Sequence, residues 1–185
     1  MKILAFAATS SSKSINKQLV RYAAGQFENA DTEVIDINDY ELPIYSEDKE
    51  AELGQPDLAK DFFEKIGDSD AVIIAFAEHN YSYAVAYKNI FDWASRINMK
   101  VYQNKPMLLL ATSPGPGGAA GVLAMATESA PHFGGDVKAS ISVPSFHDNF
   151  DSALGLITNA EINAQLLSAV TALRNSVLPE ETQPA

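Results

Sequence analysis

Five short runs rich in apolar residues recur along the chain, and the stronger ones lack the strict alternation of apolar and polar residues that marks a half-exposed strand. Continuous runs of this kind are typical of strands that are buried on both faces of a sheet. They predict strands over residues 3–7, 33–37, 71–76, 106–111 and, with a weaker pattern, 137–143.

Segments with helical spacing separate these runs. Apolar residues three or four positions apart share one face in residues 15–27, 57–66 and 87–97, and two more helices are expected after Gly118 and over 159–173. The connection over residues 38–55 carries Pro43 and several acidic residues, so it is expected to be a loop. The alternation of strand and helix predicts a parallel sheet with helices on both faces.

The expected architecture is an α/β protein with a flavodoxin-like three-layer α/β/α sandwich. Its five-stranded parallel sheet has the strand order 2-1-3-4-5, in which ligands bind at the carboxyl ends of strands 1 and 3. Three distinctive segments follow the first, third and fourth strands, namely loop 1 (residues 8–14), loop 2 (77–83) and loop 3 (112–118). We therefore expect a ligand to contact these three loops.

The size and composition predict one domain with a short tail. The chain has 185 residues, of which 1–174 are expected to form the domain and 175–185 a flexible C-terminal tail. The apolar run after Lys2 is too short for a signal sequence, and no run is long enough to span a bilayer. A cytoplasmic protein is therefore expected. The lack of cysteine excludes disulfides and thiolate nucleophiles and is compatible with that compartment.

The formal net charge of −11 sets up a field that repels nucleic acid, anionic membranes and phosphorylated ligands. Nucleic acid and membranes are therefore not expected as partners. A phosphate site on such a molecule has to be built locally. Backbone N–H groups, hydroxyls and a helix N-terminus can build one, because they supply donors without a positive surface.

Loop 1 and the start of the next predicted helix are rich in hydroxyl groups. If the helix begins near Ser14, then Ser10, Ser12, Ser14 and Asn16 can point hydroxyl or amide groups at an anion on its free N–H groups. Lys13 adds a positive charge. Helix capping is the alternative explanation, but Ser14 alone suffices for a cap. The surplus of hydroxyls favours an anion site.

Loop 2 and the helix after it read AEHNYSYAVAYKNIFDW over residues 77–93. This stretch resembles the P-E-Y-N-x-S-x-P-x-x-L-K-N-x-I-D-W signature of the NAD(P)H-dependent FMN reductase family. The matching residues are Glu78, Asn80, Ser82, Lys88, Asn89, Asp92 and Trp93. Residues 8–19 resemble the family's G-S-x-R-x-x-S-x-N-x-x-L motif, and residues 113–118 resemble its S-x-G-x-x-G-G turn. The three matches lie, in order, on the three loops that the topology selects.

This resemblance implies an FMN-dependent NAD(P)H oxidoreductase. NADPH or NADH would deliver a hydride to FMN, and a small-molecule electron acceptor such as free flavin, a quinone or an azo compound would then take it in a ping-pong cycle. No catalytic side chain and no metal is implied, because the flavin carries the chemistry. The implied FMN contacts are Thr9, Ser10, Ser12, Lys13, Ser14, Ile15 and Asn16 of the first motif, Glu78, His79, Asn80, Tyr81 and Ser82 of loop 2, and Ser113, Pro114, Gly115, Gly117 and Gly118 of loop 3.

Several positions depart from the family pattern. Ser11 replaces the arginine of the phosphate loop, and Ala8, His79 and Ala84 replace a glycine, a tyrosine and a proline. Loss of the arginine's bidentate grip weakens phosphate binding, and the flexible point charge of Lys13 replaces it only in part. We therefore expect FMN to exchange readily, as a substrate does.

The family also implies a homodimer or homotetramer formed through the helix after the third strand. Two other functions stay open: a flavodoxin-type electron carrier, which the acidic charge suits, and an FMN-binding protein without turnover.

The tyrosines at 81, 83 and 87 either shape a substrate pocket under a second subunit or simply pack in the core.

Two further patterns lack a supporting context. Residues 115–120 fit G-x-G-x-x-A, but they follow the fourth predicted strand rather than the first, which argues against a Rossmann NAD site. His132, His147 and Asp148 lack the spacing of metal ligands.

Overall fold

The computed structural model describes residues 1–177. Its central sheet is parallel and has the order β2-β1-β3-β4-β5, which confirms the predicted architecture. The strands are β1 (Lys2–Ala8), β2 (Asp31–Ile35), β3 (Ala71–Phe76), β4 (Lys105–Thr112) and β5 (Gly135–Val143). Two short antiparallel hairpins pair Glu78–His79 with Ser82–Tyr83 and Phe150–Asp151 with Leu156–Ile157.

The sheet is covered on both faces because its inner strands are apolar on both faces. All six residues of β3 are buried, and side chains that alternate along β1 and β3 enter two separate cores. One core holds Leu4, Phe6 and Ile74, and the other holds Ile3, Ala5 and Ile73. This explains why the inner strands β1 and β3 read as continuous apolar runs rather than as alternating ones.

Seven helices lie in the described part of the chain, with α3, α4 and α5 against one core and α1 and α7 against the other. Their bounds are α1 (Ile15–Ala24), α2 (Glu47–Leu53), α3 (Asp57–Gly67), α4 (Val85–Ser95), α5 (Ala120–Ser129), α6 (Phe146–Asn149) and α7 (Ala160–Val177), with 3₁₀ turns at Ile37–Tyr40 and Ala130–Phe133. None of these helices is both long and apolar enough to cross a membrane.

Two predicted segments differ from the structure at the edge of the sheet. The second strand ends at Ile35, because the Asp36 side chain accepts a hydrogen bond from the Asn38 N–H and caps a 3₁₀ turn there. The predicted loop over residues 38–55 contains α2, whose N-terminus is capped by Ser46 and whose residues are all at least partly exposed. A helix without a buried face has no apolar period that the sequence could reveal.

The C-terminal ends of the first and last helices, α1 and α7, also differ from the prediction. Helix α1 ends at Ala24 rather than 27, with Gly25 as its C-cap. Helix α7 continues to Val177, so residues 175–177 are helical rather than part of a tail. The remainder of the expected tail, residues 178–185, lies outside the described residues.

The strand register brings the three loops to one edge of the sheet. Ala8 at the end of β1 is paired with Phe76 at the end of β3, and Phe76 is paired in turn with Ala111 near the end of β4. Loops 1, 2 and 3 therefore leave the sheet side by side, at its carboxyl edge.

Candidate functional site

Loop 1 leads directly into the N-terminus of α1. Ser14 is the N-cap, and its Oγ accepts a hydrogen bond from the Asn16 N–H at 3.1 Å. The first turn of α1 carries no acidic residue, so its positive dipole end is not neutralised locally. Within residues 1–177, the backbone N–H groups of Ser12, Lys13 and Ile15 have no hydrogen-bond acceptor. These donors suit an anion.

The side chains of loop 1 divide into exposed and buried groups. Ser10, Ser12 and Lys13 are exposed, whereas Thr9 is buried and its Oγ1 accepts a hydrogen bond from the Ser11 N–H at 3.2 Å. Ile15 is partly buried against the core beneath α1. The exposed hydroxyls and ammonium thus surround the helix N-terminus, while Thr9 shapes the turn.

Asn16 does not have the predicted orientation. Its Nδ2 donates to the Thr112 carbonyl at 3.2 Å, and its Oδ1 accepts from the Thr112 N–H at 3.1 Å. Both side-chain atoms are therefore used within the protein, and the residue is only 3% exposed. The expectation that this amide points at an anion is corrected: Asn16 ties the start of α1 to the end of β4, next to loop 3.

Loop 2 is a tight hairpin with two unusual backbone conformations. Asn80 and Tyr81 have φ angles of 52° and 60°, both in the left-handed region. Positive φ at both central residues is typical of a type I′ hairpin turn, which asparagine adopts readily and tyrosine does not. Tyr81 is 82% exposed, and His79, Asn80 and Ser82 are exposed beside it. The hairpin therefore presents an aromatic ring to solvent at the edge of the site.

Glu78 joins loop 2 to the helix after loop 3. Its Oε2 accepts a hydrogen bond from the Val122 N–H at 2.7 Å, in the first turn of α5. Ala119, the N-cap of that helix, provides no side-chain hydrogen bond, so Glu78 performs this role from another loop. A Cβ at Gly121 would lie 2.8 Å from Glu78 Oε2, so a larger residue there would displace this carboxylate.

Of the tyrosines at 81, 83 and 87, the last two pack inside the molecule. Tyr87 is buried, and its hydroxyl lies 2.6 Å from the Tyr102 hydroxyl. Burial raises the pKa of the Tyr87 hydroxyl well above its ordinary value, so it stays protonated at neutral pH. Tyr83 is half-buried with its hydroxyl 3.1 Å from Ser129 Oγ. Of these three tyrosines, Tyr81 is the one whose ring is largely exposed to solvent.

In loop 3, the backbone at Gly115 and Gly117 is open to solvent, whereas the backbone at Gly118 is tightly packed. An added Cβ would meet no heavy atom within 4 Å at Gly115 or Gly117, so this backbone faces open space. Gly118 has a φ of 58°, and a Cβ there would collide with Ser142 Oγ. Ser113 Oγ donates to the Gly115 carbonyl at 3.2 Å, and Pro114 is exposed. The backbone of residues 115–117 is thus accessible to a flat ligand.

A cavity of about 410 Å³ lies between loop 1, loop 2 and the segment after β2. Its lining residues are Ser10, Ile37, Asn38, Tyr40, Glu41, Leu42, Ile44, His79, Ala84, Val85, Ala86 and Asn89. The sequence analysis did not place residues 37–44 at the site. The sequence of this irregular segment has no apolar period that would predict its position. Its position depends instead on contacts with side chains of α4.

Fold and loops together define an α/β protein with a flavodoxin-like sheet, in which loops 1, 2 and 3 lie at the edge where such folds bind ligands. The model of the NADPH-dependent FMN reductase family matches residues 1–148, and the chain belongs to this family. The resemblance seen in the three loop motifs is thereby confirmed.

Individual relatives agree with this assignment. The chain is 36% identical over 121 residues to an NAD(P)H-dependent FMN reductase of Pseudomonas aeruginosa, a match covering 65% of this chain and 64% of that protein. It is 34% identical over 108 residues to a 2-hydroxy-1,4-benzoquinone reductase of a Burkholderia species, covering 58% and 57%. The matches thus span about three fifths of these relatives' length.

A solved structure with a similar fold is the flavoenzyme NAD(P)H:(acceptor) oxidoreductase FerB of Paracoccus denitrificans. The two structures superpose with a TM-score of 0.75 at 24% identity, covering 96% of this chain and 99% of that one. This likeness supports the flavodoxin-like fold.

Proposed function

We propose that this protein is an FMN-dependent NAD(P)H oxidoreductase. One observation carries the proposal: three loops with the family's motifs leave the sheet side by side, and the first of them offers free N–H donors at a helix N-terminus. FMN would bind with its phosphate at Ser10, Ser12, Lys13, Ser14 and Ile15 and its ring between loops 2 and 3. The continuous packing of β1 to α7 supports treating this unit as one domain.

The residues present fit FMN. The free N–H groups and hydroxyls of loop 1 match a phosphate, which binds such donors without a surrounding positive surface. The open backbone of Gly115 and Gly117 admits a flat ring, and the hairpin at Asn80 supplies polar groups along its edge. When bound, FMN supplies hydride chemistry between nicotinamide and acceptor. The protein's task is then to orient the two partners and to leave one ring face accessible.

NADPH or NADH would be the reductant, and the oxidant would be free flavin, a quinone or an azo compound. Because the oxidised nicotinamide would leave before the acceptor enters, both would use the same exposed face in turn. No side chain of loops 1 to 3 has to act as acid or base in the hydride step. The cytoplasm is the proposed location, since it holds the NAD(P)H pool on which such a reaction depends.

We also propose a homodimer formed through a face made by α4 and α5. A cavity of about 480 Å³ lies there beside Met99 and Met125, which are 58% and 38% exposed. Lys88 and Asp92 on this face are paired with each other, so a second copy would cover the exposed methionines about a two-fold axis without leaving an unpaired charge there. Sedimentation velocity should show a dimer, and Met125→Asp should shift it to a monomer. A monomeric parent protein would contradict this assembly.

The catalytic proposal is tested by mixing protein, FMN and NADPH without oxygen. Rapid loss of the flavin's visible absorbance supports the reductase, whereas protein that retains FMN without bleaching would be a carrier or a protein without turnover. Gly117→Leu provides the control, because its side chain enters open space and leaves the fold intact while obstructing the ring. Unchanged FMN affinity of this variant in a fluorescence titration would refute the assigned ring position.

A further inference from the structure

The segment Glu41–Tyr45, here called the strap, is fixed to α4 by one amide side chain. Asn89 Nδ2 donates to the carbonyls of Leu42 and Pro43 at 3.0 and 3.2 Å, and its Oδ1 accepts from the Tyr45 N–H at 2.9 Å. One side chain thus satisfies three backbone groups of an irregular segment.

A second contact set holds the strap one helical turn further along α4. Trp93 Nε1 donates to the Pro43 carbonyl at 2.7 Å, and the Trp93 ring meets the Tyr45 ring edge-on with centroids 5.2 Å apart. The Tyr45 hydroxyl donates to Glu50 Oε2 at 2.8 Å, and Glu50 in turn accepts from Arg96 at 2.9 Å. Helices α2 and α4 therefore hold the strap on both sides.

This rigid strap exposes an apolar side chain beside the site. Ile44 is 76% exposed, yet it lines the 410 Å³ cavity together with Leu42 and Val85. The same cavity reaches Ser10 of loop 1 and His79 of loop 2. An isoleucine held in solvent at the mouth of a cavity gains its favourable burial only when a ligand covers it.

The lining also indicates the charge of that ligand. Glu41 is the acidic residue among the lining residues, and no lysine or arginine lines the cavity. The net charge of −11 adds a repulsive field for anions. The apolar side chains of the lining and the exposed amide of Asn38 suit an uncharged ring that bears carbonyl groups.

We propose that this cavity is the acceptor subsite and that it selects uncharged quinone-like rings, with Ile44 as the specificity-determining residue. Asn89 and Trp93 are positioning residues that act through the strap. This inference rests on the proposed oxidoreductase function. In the reaction the quinone would gain two electrons and two protons: bound FMN in its reduced state would supply a hydride and so be oxidised, and water would supply the second proton.

The test uses FMN-loaded protein and separates the two half-reactions. Flavin is reduced without oxygen, either by NADPH or by dithionite, and is then mixed with menadione as the neutral quinone. Ile44→Ala should lower kcat/KM for menadione about tenfold, because it removes three side-chain carbons that bound menadione would bury. FMN affinity should not change, and the dithionite arm measures the menadione step without NADPH. Leu154→Ala, which truncates an equally exposed residue (71%), should behave like the parent protein.

Two further variants test charge and positioning. Glu41→Gln should raise kcat/KM for a sulfonated naphthoquinone about threefold and leave that for menadione unchanged. Trp93→Phe keeps an aromatic ring but loses the bond to Pro43, so it should raise KM for menadione with little change in kcat.

The outcomes distinguish the two proposals. Reoxidation by menadione at the parent rate in Ile44→Ala would overturn the subsite, whichever reductant was used. Failure of NADPH to reduce bound flavin would overturn the proposed function, while the dithionite arm would still test the subsite.

Discussion

At the scale of single residues, Asn16 is a predicted ligand-binding residue that has a structural role. Its amide binds both backbone polar groups of Thr112 in a buried setting. Asn16→Ala should lower the free energy of unfolding by about 3 kcal/mol, because a buried N–H and a buried carbonyl lose their partner. Urea denaturation measures this loss. Ser14→Ala removes only the cap of α1 and should cost about 1 kcal/mol; equal losses in the two variants would contradict the role assigned to Asn16.

Ser11 offers a test of the phosphate position. It is exposed in loop 1, where the family has an arginine, so a longer side chain has room there. Ser11→Arg should tighten FMN binding about tenfold, because a guanidinium adds bidentate, charge-assisted hydrogen bonds to phosphate. Ser11→Lys, with a point charge, should give a smaller gain. Titration of FMN fluorescence measures both, and an unchanged dissociation constant in Ser11→Arg would place the phosphate elsewhere.

The sequence could predict which residues of loop 1 are polar, but not which of them face inward. Ser14 was identifiable as a cap because capping is a local interaction. The partner of Asn16 lies 96 positions away, and no local pattern reports such a contact. Glu78 is a similar case, since its carboxylate caps a helix that begins 42 positions later.

At the scale of elements, the loop 2 hairpin holds Tyr81 in a costly conformation. A tyrosine in the left-handed region costs about 1 kcal/mol relative to glycine. Tyr81→Gly should therefore raise the free energy of unfolding by about 1 kcal/mol, measured by urea denaturation. Tyr81→Ala keeps the strained backbone and removes only an exposed ring, so its stability should stay near that of the parent. A loss of stability in Tyr81→Gly would show that the ring, rather than the backbone, determines stability here.

Such strain is retained where the surrounding structure requires it, and it is common at ligand sites. The hairpin is also where the chain departs from the family, with His79 next to the strained pair. We infer that the turn is kept for the placement of Asn80 and Tyr81 over the ring position.

Elements with a buried face were predictable, and those without one were not. β3 and α4 follow from apolar residues that reach the core. Helix α2 has no buried residue and depends instead on the Ser46 cap and on the ion pair between Glu50 and Arg96, so residues 38–55 read as a loop. The strap belongs to the same segment and is held by Asn89 and Trp93 of α4 and by Glu50 of α2. The part of the site that sequence reasoning missed is thus the part held by distant side chains.

At the scale of the whole molecule, the parallel register turns three separated motifs into one site. Ala8, Phe76 and Ala111 are register partners in three neighbouring strands. The pairing of the strands alone therefore brings their loops together. This placement depends only on strand order, which the alternation of strands and helices predicts. The field around the site is a separate property, set by the sum of all charges.

That field should appear in the salt dependence of the reaction. NADPH is strongly anionic and approaches a protein of net charge −11, so added salt screens a repulsion. The value of kcat/KM for NADPH should rise about threefold between low ionic strength and about 0.2 M salt. In a ping-pong cycle each substrate's kcat/KM reports its own half-reaction, so the value for uncharged menadione serves as the internal control and should stay constant. A fall in the NADPH value with salt would mean that a local positive group, with Lys13 as the first candidate, outweighs the field of the whole molecule.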